Sequence, residues 1–154
     1  MSMTKTATPK APAKPKTYSF SKRTLDNLVG VHPDLVKVFT RAIQITKQDF
    51  MITEGVRSQE RQRELYAQGR TKPGKMVTWT LNSNHFKSAK TGYGHAVDVA
   101  PYPVDWNSEA KFVTIADAVK QAARELGVRI EWGGDWSAKN RDLPHFQLDR
   151  STYG

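Results

Sequence analysis

The chain has 154 residues, of which 38% are hydrophobic and 25% charged, a composition that supports a folded domain and excludes global disorder. The absence of cysteine excludes disulfides and thiolate metal sites, so any metal must be held by His, Asp or Glu. The formal net charge of +9 favours an anionic partner, and nucleic acid, anionic lipid and anionic envelope polymers all qualify. No apolar run approaches the roughly 20 residues that a membrane-spanning helix needs.

Residues 1–17 are predicted to form a disordered basic tail. Four lysines and three prolines are interspersed there without any acid, and two methionines are the only large apolar residues. Such a segment cannot bury enough surface to offset the entropy of ordering it. The alternative is an electrostatic tether to an anionic surface. No apolar signal segment follows the N-terminus, so we expect synthesis in the cytoplasm without a signal peptide.

The first half of the folded part, which starts near Tyr18, is predicted to hold three helices and one strand. Apolar residues recur at helical spacing after Pro33, a residue type favoured in the first turn of a helix, and His32 fits the entry to that helix. The predicted elements are a short helix capped by Ser21, a helix from Pro33 through Ile43, a buried strand over 50–53, and a helix from a Ser58 cap through Leu65, closed by Gly69.

The second half is predicted to be loop-rich until a strand at His95–Ala100, which Pro101 stops. Ser108 opens the longest helix, whose apolar face continues to Leu126. Two further strands are predicted over 128–132 and 145–148, with a glycine turn between them. Early helices and short, antiparallel-looking strands predict an α+β fold, in which helices pack around a short antiparallel sheet in one small domain over 18–154.

Histidines and carboxylates are the candidate metal ligands. The four histidines are His32, His85, His95 and His145. Asp98 lies in the predicted strand, and Asp142 precedes His145 by three residues. Side chains alternate along a strand, so His95 and Asp98 should point to opposite faces. The better partner for Asp98 is then His85, delivered by the preceding loop, and His95 remains the alternative first ligand.

Several segments together resemble the signature of the D-alanyl-D-alanine and L-alanyl-D-glutamate metallopeptidases. The segments are Ser83-Asn84-His85, Gly94-His95-Ala96-Val97-Asp98, Asp142-Leu143-Pro144-His145 and, earlier, Glu54-Gly55-Val56-Arg57-Ser58. Ala100-Pro101-Tyr102 and Gly134-Asp135-Trp136 are similar to the phage endolysins within that group. The resemblance covers roughly residues 18–154, although the loop between His85 and Asp98 is longer than the family usually has.

The resemblance implies a zinc site and assigns a role to each matching residue. The implied zinc ligands are His85, Asp98 and His145. Asp142 is implied as the general base, Arg57 as the group that holds a substrate carboxylate or carbonyl, and Ser83 as an aid to binding. This set is chemically consistent, because zinc hydrolysis needs an open metal position and a nearby carboxylate to move a proton.

The resemblance implies an endolysin that hydrolyses the L-alanyl-D-glutamate bond of peptidoglycan stem peptides and lyses the bacterial cell wall. One alternative is a D-alanyl-D-alanine carboxypeptidase with the same zinc site. Another is a non-catalytic basic module that binds the cell wall. We expect a monomer that reaches the wall from the cytoplasm through a membrane lesion, with its basic charge helping it to bind an anionic envelope surface. No nucleic-acid motif is present, so nucleic acid is not expected as a partner.

Overall fold

The computed structural model describes residues 17–56, 59–71, 73, 85, 87–88 and 90–153. Within these ranges the chain forms five α-helices and a four-stranded antiparallel sheet, which confirms the predicted α+β class. The helices are α1 (Lys22–Asn27), α2 (Pro33–Ile45), α3 (Gln59–Ala67), α4 (Glu109–Leu126) and α5 (Arg150–Tyr153). The strands are β1 (Phe50–Glu54), β2 (Ala96–Pro101), β3 (Ile130–Trp132) and β4 (His145–Leu148), and a 3-10 turn at Gly133–Asp135 follows β3.

Side-chain caps begin three of the helices. The Ser21 hydroxyl accepts a hydrogen bond from the Thr24 amide in α1, and the Ser108 hydroxyl does the same for Lys111 in α4. At α2 the cap is His32, whose Nδ1 accepts from the Asp34 amide at 3.0 Å. Each cap satisfies an amide that has no partner inside the helix, so the chain enters these helices at defined residues.

The sheet has the order β1-β2-β4-β3, with β2 and β4 in its centre. Asp98 of β2 is directly opposite His145 of β4, and Glu54 of β1 is opposite Asp98 on the other side. On β4, Gln147 is opposite Ala96 of β2. Since residues paired across neighbouring strands share a face, these polar side chains belong to one face of the sheet.

The other face of the sheet carries the hydrophobic core. Val97, Val99 and Phe146 alternate with the polar residues on β2 and β4 and are fully buried. The helices α2 and α4 pack against each other on this side and contribute Phe39 and Phe112, which are also buried. Helix packing thus covers one face and fixes the strands that present polar groups on the opposite face.

Some element boundaries differ from the predicted ones. The second strand begins at Ala96, one residue later than expected, and β3 begins at Ile130, because the Val128 amide still bonds to Ala123 at the end of α4. Helix α5 was not predicted. The predicted Ser58 cap and residues 1–16 of the predicted tail lie outside the described residues. In the described ranges, no helix combines the length and apolar character needed to cross a lipid bilayer.

Candidate metal centre

His85, Asp98 and His145 converge at one point of the polar sheet face. Each offers one ligand atom, and these atoms all lie within 4.8 Å of one another, the one such group of three within the described residues. Asp98 Oδ1 is 3.5 Å from His85 Nε2 and 3.3 Å from His145 Nδ1. The strand pair β2–β4 supplies two members of the group, and the loop before β2 supplies His85. The geometry is that of a potential metal site with three protein ligands.

The three side chains are buried to different degrees. His85 is 1% exposed and His145 is 8% exposed, whereas the side chain of Asp98 is 23% exposed. Packing therefore fixes the imidazoles, and the atoms that face each other, His85 Nε2 and Asp98 Oδ1, are themselves buried. The exposed part of the Asp98 side chain marks the side of the cluster that is nearest to solvent.

The second nitrogen of each imidazole faces an oxygen acceptor. His85 Nδ1 lies 2.9 Å from the Gly55 carbonyl oxygen, and His145 Nε2 lies 2.8 Å from Gln147 Oε1. These oxygens only accept, so both rings donate an N–H at these positions. With a divalent cation bound, the lone pairs of His85 Nε2 and His145 Nδ1 would point at the cation; without one, a proton on these nitrogens faces Asp98 Oδ1. Two lone pairs and an anion fit a bound divalent cation, and such acceptors commonly orient histidine ligands of metals.

Electrostatics in the cluster favour a bound cation. Burial by itself raises the pKa of Asp98, but hydrogen bonding and attraction from His145 and His85 outweigh it and hold that pKa well below its usual range. Burial lowers the pKa of His145, yet the bond to Asp98 and its charge reverse the effect and leave the pKa raised. The Asp98 carboxylate therefore stays ionised. A proton competes with a metal for Nδ1 of His145.

The predicted general base, Asp142, lies just outside the cluster. It is exposed, and its amide donates to the Gly133 carbonyl at 3.0 Å while its own carbonyl accepts from the His145 amide at 3.2 Å. Its charge also acts on His145, where it adds to the upward effect of Asp98 on the pKa. The predicted substrate-binding residues Arg57 and Ser83 lie outside the described residues.

His95, the alternative first ligand, lies in a different cluster. Its Nε2 is 2.8 Å from the Thr91 hydroxyl, and its ring packs edge-on against His32 and Tyr153 at 5.5 and 6.1 Å between centroids. Burial, and then the charge of His32, lower its pKa. His95 thus belongs to an aromatic cluster, and it is not a member of the group around Asp98.

Three residues near the cluster were not assigned to it from the sequence. Gly55 and Gln147 supply the acceptors for the imidazoles, and Glu54 is opposite Asp98 across the sheet. Trp136, which the sequence places near the site as a possible wall, has its ring centroid 5.2 Å from that of His145. Strand alternation carries a signal for Gln147, which is two residues after His145. Glu54 reaches its place through a shift of register between Ile52 and Glu54, for which the sequence carries no clear signal.

Comparisons with known proteins show which family the chain resembles. The family model described as phage L-alanyl-D-glutamate peptidase matches residues 16–153. The chain is 32% identical to the L-alanyl-D-glutamate peptidase of Escherichia phage T5 over 140 residues, covering 89% of this chain and 93% of that protein. It is 34% identical to the peptidoglycan L-alanyl-D-glutamate endopeptidase CwlK of Bacillus subtilis (strain 168) over 112 residues, covering 65% and 60%. The crystal structure of the Serratia marcescens L-Ala D-Glu endopeptidase ChiX superposes with a TM-score of 0.74 at 40% identity, covering 92% and 97%.

Proposed function

Because the chain belongs to the phage L-alanyl-D-glutamate peptidase family, we propose that it is a zinc-dependent endopeptidase that hydrolyses the L-alanyl-D-glutamate bond of peptidoglycan stem peptides. The observation that carries the proposal is the convergence of His85, Asp98 and His145 within 4.8 Å. The relatives from phage T5, Bacillus subtilis and Serratia marcescens are all named for activity on this bond, which supports the choice of substrate.

The proposed metal ligands are two imidazole nitrogens and one carboxylate oxygen. His85 Nε2, His145 Nδ1 and Asp98 Oδ1 would hold the ion, a donor set typical of hydrolytic zinc sites. A bound zinc ion supplies Lewis-acid polarisation of the scissile carbonyl and makes water more acidic. The substrate would approach from the side on which the Asp98 side chain is 23% exposed.

Asp142 is proposed as the general base. Its carboxylate would accept a proton from the attacking water as the carbonyl carbon is attacked, and would return that proton to the amine of D-glutamate as the C–N bond breaks. The carboxylate begins and ends the cycle unprotonated, so one water is consumed per bond. Its exposed position next to His145 and its charge effect on that residue support this role.

Arg57 and Ser83 are proposed to bind the substrate. The stem peptide carries free carboxylates, and a guanidinium is a permanently charged, planar donor that suits a carboxylate. In the setting we propose, an endolysin, the enzyme lyses the host cell from the periplasmic side after the membrane is permeabilised, and its basic charge helps it to bind an anionic envelope. Residues 1–17 would form a tail and 18–154 a monomeric catalytic domain.

Product analysis on purified peptidoglycan tests the proposal. We expect new amino groups, no new reducing sugars, and fragments that mass spectrometry identifies as stems cut between L-alanine and D-glutamate. Chelation should abolish the release, and zinc should restore it. Release of single D-alanine with the L-alanyl-D-glutamate bond intact would instead identify a carboxypeptidase. Wall binding without any hydrolysis would identify a binding module.

A further inference from the structure

Gln147 is a buried polar side chain in the centre of the sheet, next to the candidate metal ligands. It lies on β4 between β2 and β3, opposite Ala96 on one side and Glu131 on the other, and only 4% of it is exposed. Two residues before it on the same strand face is His145, and Gln147 Oε1 is 2.8 Å from His145 Nε2. A central strand leaves such a side chain little freedom, so the amide oxygen is held at a fixed place.

Because the atom of Gln147 that faces Nε2 is the amide oxygen, the contact favours the His145 tautomer that carries its proton on Nε2. A neutral imidazole carries one proton, on either Nδ1 or Nε2. With the proton on Nε2, the ring donates to Gln147 and presents its Nδ1 lone pair at 3.3 Å from Asp98 Oδ1, where a metal would lie. With the proton on Nδ1, the ring donates to Asp98 instead and occupies the position that the metal needs.

We propose that Gln147 is a positioning residue for metal binding: its amide oxygen holds the Nε2–H tautomer of His145 and thereby keeps Nδ1 available as a ligand. This inference rests on the proposed zinc binding and extends it to a residue that does not touch the ion. The Gly55 carbonyl is the corresponding acceptor for His85. Because that carbonyl belongs to the backbone, Gln147 is the one of these two acceptors that a side-chain substitution can remove.

The test measures zinc affinity by chelator competition in the full chain and in two variants. Gln147→Met keeps the length of the side chain but removes the acceptor, and we expect zinc to bind about 10- to 100-fold more weakly, the usual effect of losing such an orienting partner. Gln147→Glu keeps an oxygen acceptor, so its affinity should stay within about threefold of the parent or become tighter. Rescue by Glu separates the loss of an acceptor from a general effect of altering the buried position.

Gln121→Met is the matched control, because Gln121 is an exposed residue of α4 that bonds only to Glu125 among the described residues. It should bind zinc as the parent does. Equal zinc affinity in the parent and Gln147→Met would overturn the positioning role while leaving the proposed function intact. A parent protein that binds no zinc would overturn the proposed function, and this inference with it.

A spectroscopic measurement on the unchanged protein covers the case in which Gln147→Met does not fold. Nitrogen-15 NMR of the zinc-loaded parent should show His145 coordinated through Nδ1 and carrying a proton on Nε2. Coordination through Nε2, or a proton on Nδ1, would overturn the inference.

Discussion

Asp98 and His145 face each other because β2 and β4 are in register at these two residues. Directly opposed side chains on one sheet face have Cβ atoms about 4.5–5.5 Å apart, close enough to share an ion. His85 comes from a loop, and its orientation relies on burial and on the Gly55 carbonyl. The candidate centre therefore combines two proposed ligands from the paired strands β2 and β4 with a third, His85, whose ring contacts one backbone carbonyl.

Replacing the proposed base tests its role separately from metal binding. Asp142→Asn keeps the size and the backbone bonds of the residue but removes its capacity to accept a proton. We expect kcat on peptidoglycan fragments to fall about 100- to 10,000-fold, the usual contribution of general base catalysis. Zinc content should not change. Asp117→Asn, an exposed acid on α4, is the matched control and should retain full activity. An active Asp142→Asn enzyme would remove the residue from the mechanism.

Separate alanine replacements of two histidines test the ligand assignment. His85→Ala should lose zinc binding and hydrolysis, because one of the three ligand atoms is removed. His95→Ala should retain zinc, because His95 packs against His32 and Tyr153 rather than Asp98. Metal content after dialysis measures both. Loss of zinc in the His95 variant alone would reverse the assignment.

Much of the site's arrangement could be predicted from strand alternation. Alternation separates His95 from Asp98, and in the structure the two residues do lie in different surroundings. The Gly55 contact with His85 could not be predicted, because it joins residues thirty positions apart through a backbone carbonyl that has no sequence signature. Arg57 and Ser83 stay predictions, since they lie outside the described residues.

The backbone of the 3-10 turn after β3 lies in close contact with the backbone of the segment before β4. The Gly133 carbonyl accepts from the Asp142 amide, and a Cβ atom at Gly133 would collide with the Asp142 carbonyl oxygen. Only glycine allows this close approach, which fixes the segment that carries the proposed base. The turn is thus a structural support for Asp142.

Gly133→Ala should therefore impair catalysis beyond its effect on stability. The added methyl group must push the 142 segment away, at a cost of about 1–3 kcal/mol in the free energy of unfolding, as overpacking usually produces. Since Asp142 moves with that segment, kcat should also fall. Val119→Ala in the core of α4 provides the comparison: it should lower stability by a similar amount but leave kcat unchanged. Equal kcat values in both variants would contradict the supporting role.

A side-chain hydrogen bond links helix α5 to the start of α2. The Tyr153 hydroxyl donates to Asp34 Oδ2 at 2.7 Å. Burial, and then this bond and the charge of Asp34, raise the pKa of Tyr153 to about 12. Because the folded state favours the protonated phenol, the stabilisation is complete below pH 10 and is lost as the pH rises through 12.

Tyr153→Phe tests this link. Between pH 10 and pH 12 the free energy of unfolding should fall more steeply in the parent than in the variant. Because Tyr153 is only partly buried and solvent screens its bond to Asp34, we expect a difference of only about 1 kcal/mol across that range. Denaturant titrations at several pH values measure it. Parallel pH profiles would show that the bond contributes nothing.

Long helices whose apolar residues recur at helical spacing were predicted best. The helices beginning at Pro33 and after Ser108 combine apolar spacing with caps, and both form as expected. Helix α5 has only four residues and depends on contacts with Asp34 and with the Asp149 carboxylate, which accepts from Ser151 and Thr152. Such a short helix has no period to detect.

The two faces of the sheet have different roles in the molecule. Its core face packs on α2 and α4 and stabilises the fold, while its polar face carries the candidate metal centre. Changes on the helix face should therefore affect stability, and changes on the polar face should affect metal binding and catalysis. We expect the proposed tail to contribute neither to stability nor to metal binding.

Removing residues 1–16 tests the proposed division of the chain. The truncation deletes four lysines and should leave the midpoint of thermal unfolding and the hydrolysis of soluble stem peptides unchanged. If the segment is an electrostatic tether, binding to anionic envelope preparations should become less dependent on salt. An unchanged dependence of binding on salt would exclude the tether. A lower unfolding temperature would show that the segment stabilises the domain and is not a disordered tail.

Diffraction data collected at the zinc absorption edge, from crystals of the full chain grown with zinc, test the central claim most directly. We predict one strong anomalous peak, within bonding distance of His85 Nε2, Asp98 Oδ1 and His145 Nδ1. A zinc-saturated crystal with no peak between these three atoms, or with its peak elsewhere, would contradict the metal centre and the hydrolytic function that depends on it.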